Sequence, residues 1–305
     1  MVATAEKLVL QVGTRQMELG KDIFLLCESN DVLHDVEALR ARMKEDGYLF
    51  IRGLHDKDQV LATRRRMLEK LAENGALDPK APLMDAVINT ANPRGKFFGG
   101  TNQLTTLPEF QELVKSQRLM NFFERFLGGP ALTFDYKWLR VVSNGDFTGA
   151  HYDVVYMGRG THNLYTTWTP IGDCTWDLAP LAVCSGSHKD EFRKLHDTYC
   201  KMDVDRDHVQ GSFSDDPYEI SEKFGGQWQT AEFKAGDALV FGMHTLHMSL
   251  KHTGKSYRIS SDTRYQLAAD PVDERWVGEN PKAHYAWHNP EKNKSMAEAR
   301  KEWGV

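Results

Sequence analysis

The sequence predicts a mostly β protein, an antiparallel sandwich or barrel with helices flanking it, and two observations carry that expectation. Apolar residues recur at helical spacing through roughly the first 130 residues. From about residue 131 the texture changes to short β-rich runs separated by turns rich in Gly, Asn and Asp. No repeat at solenoid periods and no low-complexity linker interrupts the 305 residues. That favours one continuous domain over 1–305, with a helical N-terminal part (about 1–130), a β core (about 131–270) and a C-terminal tail (271–305).

In chain order, residues 31–45 place Val32, Val36, Leu39 and Met43 on one helical stripe, and Gly47 ends it. YLFIRGL, from Tyr48 to Leu54, reads as a strand. Asp56 is placed to cap a second helix carrying Val60, Leu61 and Met67, which Gly75 closes. A third helix is expected over 107–127, with Phe110, Leu113, Leu119, Phe122, Phe123 and Phe126 apolar and Gly128-Gly129 as its stop. The β-rich runs follow: ALTFDYKWLRVV, NLYTTWTPI, LAVC, ALVFGMHTLHMSL and YRISSDTRYQL. An insertion over 189–228 separates two of them and suits either a substrate-side wall or a solvated excursion. The tail segment NPEKNKSMAEARKEWGV reads as a charged, solvated helix.

Composition narrows the function. A net charge of -5 gives no basic footprint for nucleic acid and no polybasic tract for an anionic membrane, and it argues mildly against a strongly anionic substrate. No apolar run approaches a membrane span, and the first residues lack the pattern of a secretory signal. The four cysteines have no CxxC spacing. A cytoplasmic protein with free thiols is the expectation.

Two segments carry candidate metal ligands. In GAHYDVVY, His151 and Asp153 are two residues apart, which on a strand puts both on one face. In AGDALVFGMHTLHMSL, Gly236-Asp237 turns into a strand that delivers His247, with Ser249 on the same face. Two His and one carboxylate form a facial triad that leaves positions open for O2 chemistry, whereas a structural zinc site closes its coordination. His244 is the rival third ligand. His247 is preferred because Ser249 and Arg258 follow it at useful spacing, and His188 reads as a loop residue. Arg258 and Arg264 lie on a β-like run, and a buried Arg can grip a carboxylate with two parallel hydrogen bonds. Arg258 comes eleven residues after His247, about one hairpin away. Tyr152, Tyr156, Tyr165 and Trp176 are candidates for an apolar pocket, and Arg159 and Asn163 for polar contacts.

Together these residues resemble the phytanoyl-CoA dioxygenase family of iron(II)- and 2-oxoglutarate-dependent oxygenases. The resemblance runs over roughly 32–280. It rests on EDGYLFIRGL before a helix, the HxD at His151/Asp153, Trp168 in LYTTWTPI, the loop APLAVCSGSHK, the distal Gly236, Asp237, Phe241, His247 and Ser249, and Arg258. It implies a double-stranded β-helix (jelly-roll) core and a metal site of His151, Asp153 and His247. It also implies that Ser249 and Arg258 hold the distal carboxylate of 2-oxoglutarate, with Trp168 in the same pocket and Lys96 at the position of a co-substrate lysine. Iron(II), 2-oxoglutarate and O2 would then oxidise a C–H bond of a small molecule, releasing succinate and CO2. Hydroxylation is the default outcome. Desaturation, epoxidation, ring closure, oxidation of a protein or peptide side chain, and a degenerate binding module are the alternatives. The resemblance also sets Asp153 against halogenation, which in this fold goes with loss of that carboxylate. Ser185 stands where the family's loop usually has Pro, a change that affects mainly loop stiffness. The acyl-CoA substrate of the family's namesake is not carried over.

Overall fold

The computed structural model describes residues 7–93, 97–99, 103–286 and 290–305. The chain opens with a hairpin, β1 (Val9–Val12) and β2 (Arg15–Glu18), then β3 (Phe24–Leu25), α1 (Val36–Asp46), β4 (Tyr48–Ile51), α2 (Lys57–Glu73), β5 (Phe97–Gly99), α3 (Pro108–Val114) and α4 (Gln117–Leu127). After these come β6 (Ala131–Thr133), β7 (Trp138–Val142), α5 (Val154–Met157), β8 (Leu164–Pro170) and β9 (Leu181–Ser185). The insertion contributes α6 (Arg193–Asp197), α7 (Val204–Asp207) and α8 (Pro217–Phe224). The chain then runs through β10 (Gln227–Thr230), β11 (Ala238–Gly242), β12 (His247–Ser249), β13 (Arg258–Leu267) and α9 (Met296–Trp303).

Local signals set most boundaries. Asp35 caps α1 by accepting from the Ala38 N–H, and Asp56 caps α2 from Gln59. Gly47 ends α1 at φ 81°, and a Cβ there would lie 2.5 Å from His188 Nδ1, so glycine serves both the left-handed turn and the close approach. The single helix expected over 107–127 is two. Ser116 leaves the helical conformation and its hydroxyl accepts from Leu119, restarting the chain as α4.

A larger sheet has the order β4-β11-β8-β13-β7-β5, with β6 also paired to β13, and a smaller one has the order β12-β9-β10-β3. All pairs are antiparallel except β10 with β3. This is the expected mostly-β sandwich of the jelly-roll kind. Tyr48, Phe50, Trp168, Leu181, Val183, Leu239 and Phe241 fill the space between the sheets. The alternate residues Leu49, Ile51 and Val240 turn outward and pack under Leu39 of α1 and Leu119, Phe122 and Phe123 of α4. The larger sheet is thus buried on both faces, which is why β4 is an unbroken apolar run. Strands also occur where only helices were expected, since β1–β3 precede α1.

The insertion and the tail form one further layer. Ala182 and Cys184, on the outer face of β9, share a core with Leu195, Phe213 and Ile220 of the insertion and with Met296 and Ala299 of α9. The tail helix is therefore docked, not solvated, and Arg300 pairs with Glu219 across that contact. The Arg300 bond, with help from the Ser214 hydroxyl, holds the Glu219 carboxyl down at about 2. A depressed carboxylate contributes stability above its unfolded value, 4.5, and loses it as pH falls through about 2. Docking of α9, followed by limited proteolysis, is expected to weaken over that window in the wild type. In Glu219→Gln that pH-dependent component is expected to vanish. The four cysteines carry no disulfide, and no helix among the described residues is long and apolar enough to cross a membrane.

Candidate metal centre

An isolated antiparallel bridge from His151 to β12, the edge strand of the smaller sheet, brings His151 and His247 face to face by main-chain bonding. Each N–H donates to the other's carbonyl, at 3.0 and 3.1 Å, and the ring centroids lie 4.2 Å apart. Asp153 follows in a right-handed helical conformation (φ -66°, ψ -26°), just before α5. The expected strand geometry for HxD is therefore corrected. The chain leaves its bridge at His151 and turns, with Val154 N–H bonded to Met243 O at 3.2 Å, and this turn aims the carboxylate at the imidazoles. One ligand atom from each of the three residues falls within 4.8 Å of the others, and all three residues are buried.

The surroundings fix both orientation and charge. His151 Nδ1 lies 2.8 Å from Gly149 O, and His247 Nδ1 lies 3.0 Å from Thr245 O. A carbonyl only accepts, so each Nδ1 carries the proton and each Nε2 keeps its lone pair for a metal. Burial, reinforced by the facing His247, pushes His151 down to about 3, and burial lowers His247 as well. Burial works to raise Asp153, but Arg264 and the two imidazoles outweigh it and hold the carboxyl well below its ordinary range. Neutral imidazoles and an ionised carboxylate are the forms that bind a cation. Asp153 also accepts from the Thr166 hydroxyl and, at 3.2 Å, from Arg264 Nη2. No fourth His, Cys, Asp or Glu among the described residues joins the group, so coordination stays open.

Behind the triad, Trp168, Leu181, Ser249, Arg258 and Asp262 line a narrow cleft. Arg258 is buried; its Nη1 donates to Ala179 O at 2.7 Å, and its Nε has no partner among the described residues. A buried guanidinium N–H without an acceptor is costly, and an incoming carboxylate would satisfy it. Ser249 Oγ accepts from Thr148 N–H at 2.8 Å, which leaves its own proton to donate. Arg258 is not a hairpin neighbour of His247. It opens β13 in the opposite sheet, and residues 250–257 cross between the sheets to put it there.

On the other side of the triad, Trp138, Arg140, Thr148, Tyr156, Met157, Arg264 and His284 enclose a cavity of about 150 Å³ with His151 and Asp153. His284 comes from the tail and Arg140 from β7, and the sequence reading assigned neither a role. His284 Nδ1 is held 2.8 Å from Asp205 in the insertion, which also takes the buried Arg275 and the N–H groups of Tyr285 and Ala286. The insertion thus anchors the tail against the cavity.

Several candidates lie elsewhere. His244 faces a separate cavity of about 490 Å³ with His162, His188, His196 and Tyr165. Tyr152 donates to Ser187 O inside the core, Arg159 is committed to Asp203, and Asn163 is exposed. Trp176 packs against the large core cluster to which the N-terminal hairpin, β9 and the insertion all contribute, and it is not part of the metal cavity's lining. Lys96 falls outside the described residues.

The family model described as phytanoyl-CoA dioxygenase (PhyH) matches residues 43–260. The chain belongs to this family. A PhyH protein with this arrangement of ligands is a non-haem iron(II), 2-oxoglutarate-dependent dioxygenase that takes O2 as co-substrate, and its donor set fits iron. Among its relatives, 1-deoxypentalenic acid 11-beta-hydroxylase of Streptomyces exfoliatus is 25% identical over 261 residues, covering 78% of this chain and 83% of that protein. In fold, this PhyH protein is similar to the crystal structure of EctD from S. alaskensis (TM-score 0.55, 16% identity, 85% of this chain and 86% of that one). It is also similar to the 2-oxoglutarate-dependent carbocyclase SnoK from nogalamycin biosynthesis (TM-score 0.53, 19% identity, 77% and 85%). The match ends at residue 260, so Arg264 and His284 of the metal cavity come from beyond it.

Proposed function

We propose that this PhyH dioxygenase hydroxylates a C–H bond of a small molecule, with iron(II) held by His151, Asp153 and His247. Arg258 and Ser249 take the distal carboxylate of 2-oxoglutarate, and Trp168 forms the wall beside them, 5.7 Å from the Arg258 guanidinium carbon. The observation that carries the reading is the unpartnered buried Nε of Arg258 in a cleft shared with the triad. When bound, the metal and keto acid supply the oxidising chemistry, and succinate and CO2 leave. The chain's own residues position and shield it. Arg264 and Thr166 hold Asp153 ionised and aimed, Gly149 and Thr245 fix the imidazole tautomers, and Trp138, Tyr156 and Met157 exclude water from the reacting side. Hydroxylation is favoured by the 1-deoxypentalenic acid hydroxylase relative. Ring closure is the second reading, since the structural neighbour SnoK is a carbocyclase.

Anaerobic titration with iron(II) and then 2-oxoglutarate tests this through the weak visible band of the iron–keto-acid chelate. The band is expected in the wild type and absent in His151→Ala. In Arg258→Ala, half-saturation is expected to need about 30-fold more 2-oxoglutarate or beyond, the usual result of truncating one partner of a buried charge pair. No band from folded, metal-loaded wild-type protein would overturn the reading.

A further inference from the structure

We infer that the cavity beside His244 is a binding site for a tetrahedral oxyanion of the phosphate or sulfate class, free or as an ester. This cavity of about 490 Å³ shares no lining residue with the metal cavity or the co-substrate cleft, so the inference stands apart from the dioxygenase reading. Four imidazoles line it, those of His162, His188, His196 and His244. Arg40 and Lys44 of α1 and Lys201 beyond α6 add three cations, against one carboxylate, the exposed Asp197. Arg40 is committed to Glu37 and to the Phe126 carbonyl. Lys44 and Lys201 are exposed and make no ion pair among the described residues. The His244 ring has no hydrogen-bond partner among those residues either, and it stands between the rings of His162 and His196, with centroids 5.3 and 5.6 Å away.

Four histidines in one cavity also suit a metal, but two observations favour the anion. Among the described residues only His151, Asp153 and His247 bring ligand atoms close enough together for one ion. Lys44 and Lys201 would repel a dication. The field inside the cavity is positive: burial, then the neighbours His162, His196, Lys201 and His188, hold His244 down at about 4. Burial raises Tyr165 and Cys200, the remaining titratable groups of the wall, so both stay neutral. An entering anion reverses the balance at His244 and favours its protonated form. His196 can respond in the same way. Its Nε2 donates to Ser187 O at 2.8 Å, which leaves Nδ1 to take up a second proton. Protonated imidazoles and lysines offer only donors, and the oxygens of a dianion only accept. The space exceeds a single oxyanion, and Met43, Phe126 and Tyr165 supply apolar wall for the organic group of an ester.

The test is equilibrium dialysis of the full-length, iron(II)-loaded protein, kept anaerobic, against sulfate, phenyl phosphate and phenol. Both anions are expected to bind, and phenol, which lacks the charge, is expected to bind at least about tenfold more weakly than phenyl phosphate. Sulfate as tight as phenyl phosphate would assign the site to a free oxyanion, and tighter phenyl phosphate to an ester; either supports the proposal. The double variant Lys44→Gln/Lys201→Gln changes two exposed positions, so folding is not at stake, and it is expected to weaken both anions about fivefold. His244→Gln is expected to weaken them at least as much. Arg258→Ala is expected to leave them unchanged, which separates this cavity from the co-substrate cleft. Sulfate stays a dianion throughout, so its binding reports the imidazoles: it is expected to tighten as pH falls from about 8 to about 6, and less so in His244→Gln. Binding of neither anion, equal binding of phenol and phenyl phosphate, or unchanged affinity in the lysine and His244 variants would each overturn the assignment. So would loss of anion binding in Arg258→Ala, or sulfate binding that is indifferent to pH.

Discussion

His247→Ala is expected to leave a folded protein whose iron(II) affinity falls by more than about 100-fold, because even residues that merely orient a ligand typically cost 10–100-fold when removed. Two donors, His151 and Asp153, then face the ion without the third, and turnover should fall with occupancy. His244→Ala is the informative control. His244 lies three residues away but turns into the cavity shared with His162 and His196, with ring centroids 5.3 and 5.6 Å from theirs. Its removal is expected to leave iron binding within about twofold of wild type, since no ligand or orienting group is lost. Equilibrium binding of iron(II), read by competition with a chromogenic chelator, separates the two. Equal losses in both variants would refute the assignment of the third ligand.

Asp205→Ala should produce the largest loss of stability of any single change considered. Asp205 is fully buried and receives four donors: the Arg275 guanidinium, His284 Nδ1 at 2.8 Å, and the Tyr285 and Ala286 N–H groups at 2.9 Å each. Breaking one side of a buried pair costs about 3–5 kcal/mol because the other charge is left uncompensated. Asp273 still holds Arg275, through Nε at 2.9 Å and through Nη2 at 2.5 Å, so the lower end, about 3 kcal/mol, is the expectation. Urea unfolding checks the magnitude, and limited proteolysis should show the tail after Arg275 cut first, since this segment opens locally. A change below about 1 kcal/mol, the range of an exposed ion pair, would mean that the network does not anchor the tail.

The grouping of His151, Asp153 and His247 was legible in the sequence because the motifs that carry it are short-range. His151 and Asp153 are two residues apart, and His247, Ser249 and Arg258 fall within one stretch of a dozen residues. The path of the backbone between them was less legible. Asp153 reaches the site through a helical turn, and Arg258 does so by crossing to the second sheet. The second layer carried a signal that went unread. Arg258, Asp262 and Arg264 sit at even spacing on β13, and Trp138 and Arg140 do so on β7, so each set shares a face inside a buried strand. Charges on the inner face of a strand are rare unless paired. The β1–β2 hairpin was likewise announced by Gly13-Thr14 between two short runs. The contact of His284 with Asp205 had no such local mark. It joins residues 79 apart, and their proximity depends on how the insertion and the tail pack together.

The paired main-chain bonds between His151 and His247 also bear on kinetics. The backbones of the two ligands are tied by peptide groups, so drawing them apart requires this bridge at the edge of the smaller sheet to open. Metal exchange should then proceed by departure along the solvent side, with the histidine scaffold intact. The amide protons of these two residues should be among the slowest in the protein to exchange with deuterium, with or without iron in the buffer.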